Sequence, residues 1–386
     1  MTPVYLDYAA TTPVDPRVLT AMQQAMEHVY GNASSVYAAG REAREYREAA
    51  RRDVAALIGA KPADVFFTSG GSESDNWALK GLAFARRAAG LPCGIVTSAI
   101  EHPAVLQTCA WLKEQGFDVK VLPVESSGRV APETLEAVLS SSSVYGIVSI
   151  MLANNEVGTI EPVHALAEIA HHHGAVFHTD GVQAVGHIPV DVEALGVDAL
   201  SLAGHKFYGP KGTGALYVRR GTAIDSLVHG GAQERGLRAG TEAVPALVGL
   251  GCAARLAKQE LAAEAKRLAA LRTLLWQEIS AIPGSFCNSP LKTAFLPGTL
   301  NFGMEGIRHD ALLIRLDLAG FAISAGSACS AGSLAPSHVL LAMGTPKNRA
   351  VASLRVTLGR WTTEDDIHAF ARELAKAAAA IRRIEH

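Results

Sequence analysis

Short runs of β-branched and apolar residues alternate, from Val65 to Val218, with longer stretches rich in Ala, Leu, Glu and Arg. A helix-length segment separates each run from the next, so most successive strands are joined by crossovers and lie parallel. Residues 65–68, 94–98, 119–123, 144–151, 175–179, 199–203 and 214–218 read as strands of a mostly parallel seven-stranded sheet. Residues 41–58, 73–89, 104–115, 132–139 and 163–173 read as helices between them. In an α/β sheet of this kind ligands bind beyond the carboxyl ends of the strands, so the chemistry is sought in the residues that follow each run. After Thr241 the pattern changes. Residues 244–282 read as one long helical stretch, broken or bent near Gly249 and Gly251, that leads into a smaller α+β domain. There, 299–302, 321–324 and 353–357 read as strands and a terminal helix starts near Thr363.

Composition narrows the function classes. The 386 residues carry 35 basic and 37 acidic side chains, a net charge of −2 that argues against a nucleic-acid binder with a basic surface. Cys93, Cys109, Cys252, Cys287 and Cys329 are scattered, odd in number and never in a CxxC pair, which points to a reducing compartment and away from structural zinc. The opening MTPVYLDYAATT has an acidic residue where a secretion signal needs an apolar core. The longest uncharged apolar stretch, from Ala243 to Ala254, contains Pro245 and Gly249 and is too short to cross a bilayer. A cytoplasmic enzyme or binding protein, independent of membranes, is the expectation.

The first strand runs into Ser69-Gly70-Gly71-Ser72-Glu73-Ser74-Asp75-Asn76 and then a helix. Glycines let backbone approach a ligand, and first-turn amides favour an anion, so phosphate is one guest for Gly71 and Ser72; an ordinary Ser-capped helix is the other reading. Glu101-His102 follows the next strand, where His102 is either functional or a structural histidine. Asn154 and Asn155 follow 144–151 and either orient a polar ligand or make a turn. Asp180, with Gln183 behind it, ends the 175–179 run; a carboxylate there needs a cationic partner, and a protonated pyridine nitrogen is one. A metal is disfavoured, because His171, His172 and His173 cannot all face one ion on a helix. Finally, His205-Lys206 follows the 199–203 run, where desolvation favours Schiff-base chemistry at the amine. A phosphate cradle, a pyridinium-type Asp and a Schiff-base Lys at successive strand ends are the parts of a pyridoxal 5'-phosphate site.

The second domain contributes Ser324-Ala325-Gly326-Ser327-Ala328-Cys329-Ser330-Ala331-Gly332-Ser333, in which only Cys329 is not Ser, Ala or Gly. It reads as a loop carrying a reactive thiol or as a packing turn with an incidental cysteine. Arg355 suits a bidentate grip on a carboxylate or an ordinary salt bridge.

Taken together, these motifs resemble the NifS/IscS-type cysteine desulfurases of the class V aminotransferase group. The resemblance extends from Tyr5-Leu6-Asp7-Tyr8-Ala9-Ala10-Thr11-Thr12 and Gly31-Asn32-Ala33-Ser34-Ser35 to the Cys329 loop and Arg355–Gly359, through Gly230-Gly231 and Arg238-Ala239-Gly240-Thr241. It implies the fold type I PLP-dependent transferase architecture, with a large domain at 13–262 and a small domain formed by 1–12 and 263–386. It implies pyridoxal 5'-phosphate (PLP) linked to Lys206, Asp180 on the pyridine nitrogen, His102 stacked on the ring, Gln183 on the phenolic oxygen and Asn155 on ring or substrate. Gly71, Ser72, His205 and, from a second subunit of a homodimer, Thr241 would hold the phosphate; Arg355 would bind the carboxylate of L-cysteine and Cys329 would take its sulfur. The catalytic set so implied is Cys329, Lys206 and His102, and the onward partner a sulfur-acceptor or iron–sulfur scaffold protein. Selenocysteine lyase and a class V aminotransferase remain the alternatives.

Three departures accompany the resemblance. Ala203 stands where the group has a Ser before His-Lys, which removes a phosphate hydroxyl; Ala33 and Ala239 replace a more familiar Pro and Ser. The sequence ends at His386, short of the tail with which IscS-type members help dock a scaffold.

Overall fold

A computed structural model describes residues 3–325 and 336–385. Twelve strands lie among them. They are β1 (Val4–Tyr5), β2 (Val65–Thr68), β3 (Gly94–Ser98), β4 (Val119–Leu122), β5 (Tyr145–Ser149) and β6 (Val176–Asp180), followed by β7 (Ala199–Ala203), β8 (Gly214–Val218), β9 (Ser285–Cys287), β10 (Thr299–Met304), β11 (Phe321–Ala322) and β12 (Ser353–Thr357). The helices that matter for the site are α1 (Pro16–His28), α2 (Ala38–Leu57), α3 (Gly71–Ala88), α4 (Pro103–Glu114), α5 (Pro132–Ser141), α6 (Val163–His172), α7 (Val192–Leu195) and α8 (Val244–Ser280).

All seven expected strands of the large sheet form, in the order β2-β8-β7-β6-β5-β3-β4. β4, β3, β5, β6 and β7 run parallel, and β8 is antiparallel to both β7 and β2. Sequence order reverses between β3 and β5, so the carboxyl ends of the parallel strands open into a crevice where ligands bind in such sheets. β3 and β7 are buried at every position and β6 at all but its first, so these strands are dry on both faces, as strands covered by helices on either side are.

A second apolar core surrounds the three-stranded sheet β12-β10-β9, which is antiparallel throughout. Helix α8 serves both cores: Leu247 to Ala257 pack under the large sheet, and Leu268 to Ile279 pack in the smaller core. The expected break near Gly249 and Gly251 does not occur, and α8 runs as one helix of 37 residues. These glycines let neighbours approach instead. A Cβ on Gly251 would lie 2.6 Å from Ala50 Cα on α2, and one on Gly249 would lie 2.6 Å from the Met22 side chain on α1. Cys287, expected in a connecting segment, is the last residue of β9. Helix α1, absent from the expected elements, is capped by Asp15, whose carboxylate accepts the Arg17 amide, with Pro16 at its first position.

The N-terminal segment ties the cores together. β1 pairs parallel with β11, the Thr357 amide donates to Leu6 O, and the next residues run on to the mouth of the large sheet. No helix among the described residues is long and apolar enough to cross a membrane.

Placing Ala at Gly251 tests the helix contact. Alanine favours a helix interior by about 1 kcal/mol over glycine, whereas overpacking against backbone costs about 1–3 kcal/mol. Gly251→Ala is therefore expected to lower the urea midpoint of unfolding; a variant as stable as the parent would mean that α2 and α8 separate freely.

Candidate active site

The crevice holds a cavity of about 210 Å³ lined by Gly71, Ser72, Asp75, His102, Asn155, Asp180, Gln183, Ala203, His205 and Lys206, with Ala10 and Met151. Nearly every residue expected at the strand ends of the large domain thus converges on one space. Two expected residues do not, and a third cannot be placed against it. Thr241 is exposed and outside the lining, Arg355 lies buried beside it, and Cys329 falls outside the described residues.

At one end, Gly70 precedes α3 with φ +152°, a conformation open to glycine, and no side chain caps the helix. The Ser-capped alternative is thereby set aside: Glu73 turns back to accept the Ser69 amide and pairs with Arg238 at 2.8 Å. First-turn amides without a capping side chain are an anion site. A Cβ on Gly71 would strike Val182 at 2.7 Å and come within 3.7 Å of the Ala203 methyl, so Ala203 faces this end of the cavity. His205 stands beside it, its Nδ1 3.1 Å from Thr11 Oγ1. Burial, with Lys206 and Lys211 nearby, pushes the His205 imidazole down to about 4, so it is neutral at pH 7.

At the other end, Asp180 closes β6, and one of its oxygens accepts the Val182 amide at 2.9 Å. Burial raises this carboxyl above the usual range, against which the charges of His102 and Lys206 pull it down. Asp75 and Glu101 are buried nearby, so carboxyl groups gather at this wall, and an ionised one suits a cation such as a protonated ring nitrogen. His102 is the N-cap of α4 and accepts the Ala104 amide on Nδ1 at 3.1 Å, which places the proton of the neutral ring on Nε2. Burial holds His102 below its ordinary value. Glu101 anchors the turn beneath it, accepting from the Ser98 hydroxyl and the Met151 amide.

Lys206 follows β7, and its Nζ donates to Ala9 O and, at 2.9 Å, to Ala10 O. Gln183 Nε2 also donates to Ala9 O, at 3.0 Å, and the Thr12 amide donates to His205 O. The two asparagines divide the roles left open by the sequence. Asn154 builds the turn, its Oδ1 accepting the amides of Glu156 and Val157, while Asn155 lines the cavity. Arg355 donates from Nη1 to Asn155 O at 3.0 Å and from Nη2 to Asp7 at 2.7 Å, and its buried Nε has no partner among the described residues. The strap from Asp7 to Thr12, which holds Lys206, Gln183, His205 and Arg355 in place, was missed as site machinery because it acts mainly through backbone carbonyls. No cluster of metal-ligating side chains occurs among the described residues. The anion end, the acidic wall and the amine between them fit PLP in donor type and placement.

Comparison with known proteins agrees. The class-V aminotransferase family model matches residues 4–370, and the chain belongs to that family, whose members are PLP-dependent. It is 48% identical over 364 residues to cysteine desulfurase IscS of Methanosarcina thermophila, covering 94% of this chain and 89% of that protein. It is also 48% identical over 366 residues to cysteine desulfurase IscS of Dictyoglomus turgidum, covering 95% and 92%. Among solved structures, a NifS-like protein matches with TM-score 0.92 at 39% identity, covering 98% of this chain and 100% of that one. SspA in complex with cysteine matches with TM-score 0.81 at 35% identity, covering 93% and 100%.

Ala203 gives a test of the phosphate end. A hydroxyl there adds a hydrogen bond to a charged group, worth about 1.5–3 kcal/mol. Ala203→Ser is expected to tighten PLP binding to the apo-protein about tenfold or more, measured by absorbance titration; unchanged affinity would reject the placement.

Proposed function

We propose that this chain is a cysteine desulfurase that converts L-cysteine to L-alanine and carries the released sulfur as a persulfide on Cys329. The reading is carried by the convergence of Lys206, Asp180, His102 and the α3 N-terminus on one cavity in a chain 48% identical to proteins named cysteine desulfurase. Bound PLP supplies a Schiff base to the substrate amine and an electron sink for its Cα. Gly71, Ser72 and His205 would hold its phosphate, Asp180 its ring nitrogen and Gln183 its phenolic oxygen, with His102 beside the ring.

Lys206 both carries the cofactor and moves the Cα proton, which needs a neutral amine at that moment; the carbonyls of Ala9 and Ala10 orient Nζ. Arg355 receives the substrate carboxylate with Asn155 beside it, and its unpartnered Nε is the donor left for that purpose. The Cys329 thiolate attacks the substrate sulfur: the S–S bond forms, the Cβ–S bond breaks, and its electron pair stays with the substrate carbon, which is then protonated. His102, with its proton on Nε2, relays protons at the ring face.

A homodimer completes the phosphate site in this account. Thr241 is exposed and outside its own cavity, as befits a residue that serves a partner subunit. The division into a domain at 13–262 and another formed by 1–12 and 263–386 follows the change of core along α8. A sulfur-acceptor or iron–sulfur scaffold protein in the cytoplasm is the onward partner.

Cys329→Ala is expected to abolish sulfur release from L-cysteine, by at least about a thousandfold for loss of the nucleophile, while the PLP absorption stays. Lys206→Ala is expected to remove the Schiff-base absorption itself. Full desulfurase activity in Cys329→Ala would refute the thiol assignment; activity kept only towards selenocysteine would make the chain a selenocysteine lyase, and a keto-acid product would make it an aminotransferase.

A further inference from the structure

Asp180 has a carboxylate neighbour that the reaction above does not use. Asp75, in the first turns of α3, lines the same cavity, and its side chain is 2% exposed. Its Oδ1 is buried with no hydrogen-bond partner. β6 turns His178 and Asp180 towards it, β7 turns Ser201, and the residues after β3 bring Glu101. Lys206, the cationic side chain at the cavity, acts on Asp180 rather than on Asp75.

His178 supplies no compensating charge. Its Nε2 lies 3.7 Å from Asp75 Oδ1, but the ring is engaged by Ser149 Oγ at Nδ1 (2.9 Å) and Ser201 Oγ at Nε2 (3.0 Å), and burial pushes the imidazole down to about 3. Asp75 therefore faces two other carboxyls and a neutral ring. Two carboxylates in one dry wall do not both ionise, because repulsion adds to the desolvation of each. The partial compensation from Ser201, a hydroxyl already engaged with His178, does not offset burial, which drives the Asp75 carboxyl well above its usual range.

We propose that Asp75 is a positioning residue that holds the single proton of the Asp75–Asp180 pair, so that Asp180 meets the cofactor nitrogen as the one ionised member. The proposal rests on the assignment of Asp180 to that nitrogen. A protonated Asp75 also sets the direction of the chain behind it: Asp75 donates to Ser201, Ser201 to His178 Nε2, and His178 Nδ1–H to Ser149. His178 is the neutral end that lets Asp75 keep its proton.

The linkage has a definite sign. A carboxyl whose folded-state pKa is raised binds a proton in the folded chain that the unfolded chain has released, so stability falls as pH rises between the two values. Asn at position 75 has no such proton. Full-length holoenzyme and Asp75→Asn should be compared by infrared difference spectroscopy at neutral pH, by urea unfolding against pH, and by PLP affinity.

The proposal expects Asp75→Asn to lose one carboxylic acid C=O band. It expects the variant to shed one proton's worth of pH dependence, about tenfold in the unfolding constant per pH unit, and to bind PLP within about threefold of the parent. No band lost, an unchanged pH slope, or PLP affinity reduced about tenfold or more would show Asp75 to be ionised and overturn the proposal. If Asp75→Asn does not fold, Asp75→Ser is read by the same criteria. Failure of both proteins to bind PLP would instead refute the cofactor reading, while the infrared band still reports on Asp75.

Discussion

One buried negative charge organises this molecule. Asp180 sits at the end of a strand that is dry on both faces, where a carboxylate is costly unless something positive meets it. The fold keeps it there by fixing one oxygen on the Val182 amide and by setting His102 and Lys206 within electrostatic reach. Parallel strands β3, β6 and β7 place these groups at one edge, because parallel strands deliver their carboxyl ends to the same side of a sheet. A protonated ring nitrogen is a cation that suits this arrangement.

The second organising element is backbone. Residues 7 to 12 leave the small core and cross the cavity mouth, where the carbonyls of Ala9 and Ala10 take the Lys206 amine and Gln183. Asp7, at the start of the same strap, holds Arg355, whose other arm grips the Asn155 carbonyl across the two cores. Lys206 and Arg355 are thus positioned by one short segment. A shift of the small core relative to the large one would move both.

Much of this was legible in order along the chain. The strands were readable because β-branched runs were bounded by Gly, Ser and Asn, and the strand ends named Asp180, His102, Asn155 and Lys206 because unlike chemistries recurred at equivalent places. Gly249 and Gly251 misled, since a glycine that permits close helix packing looks the same in sequence as one that breaks a helix. Asp75 was hidden inside a run that also reads as a helix start, and only the fold shows it facing Asp180. The pairing of Asp7 with Arg355 spans almost the whole chain, and the role of Ala9 and Ala10 lies in carbonyls that carry no side-chain signal. Local pattern reports on elements and their ends; contacts made by backbone or across cores become visible only once the chain is folded.

The account stands or falls on where the sulfur goes. Among the five cysteines, Cys109 and Cys252 are buried in helices, and burial pushes the thiols of Cys109 and Cys287 up to about 12 and about 11, the reverse of what a nucleophile needs. Cys93 precedes β3 and does not line the cavity. The direct measurement is peptide mass spectrometry of the PLP-loaded protein after incubation with L-cysteine. The account predicts one added sulfur atom on the peptide containing Cys329, with alanine formed alongside; an unmodified Cys329, or sulfur carried on another cysteine while alanine accumulates, would contradict it.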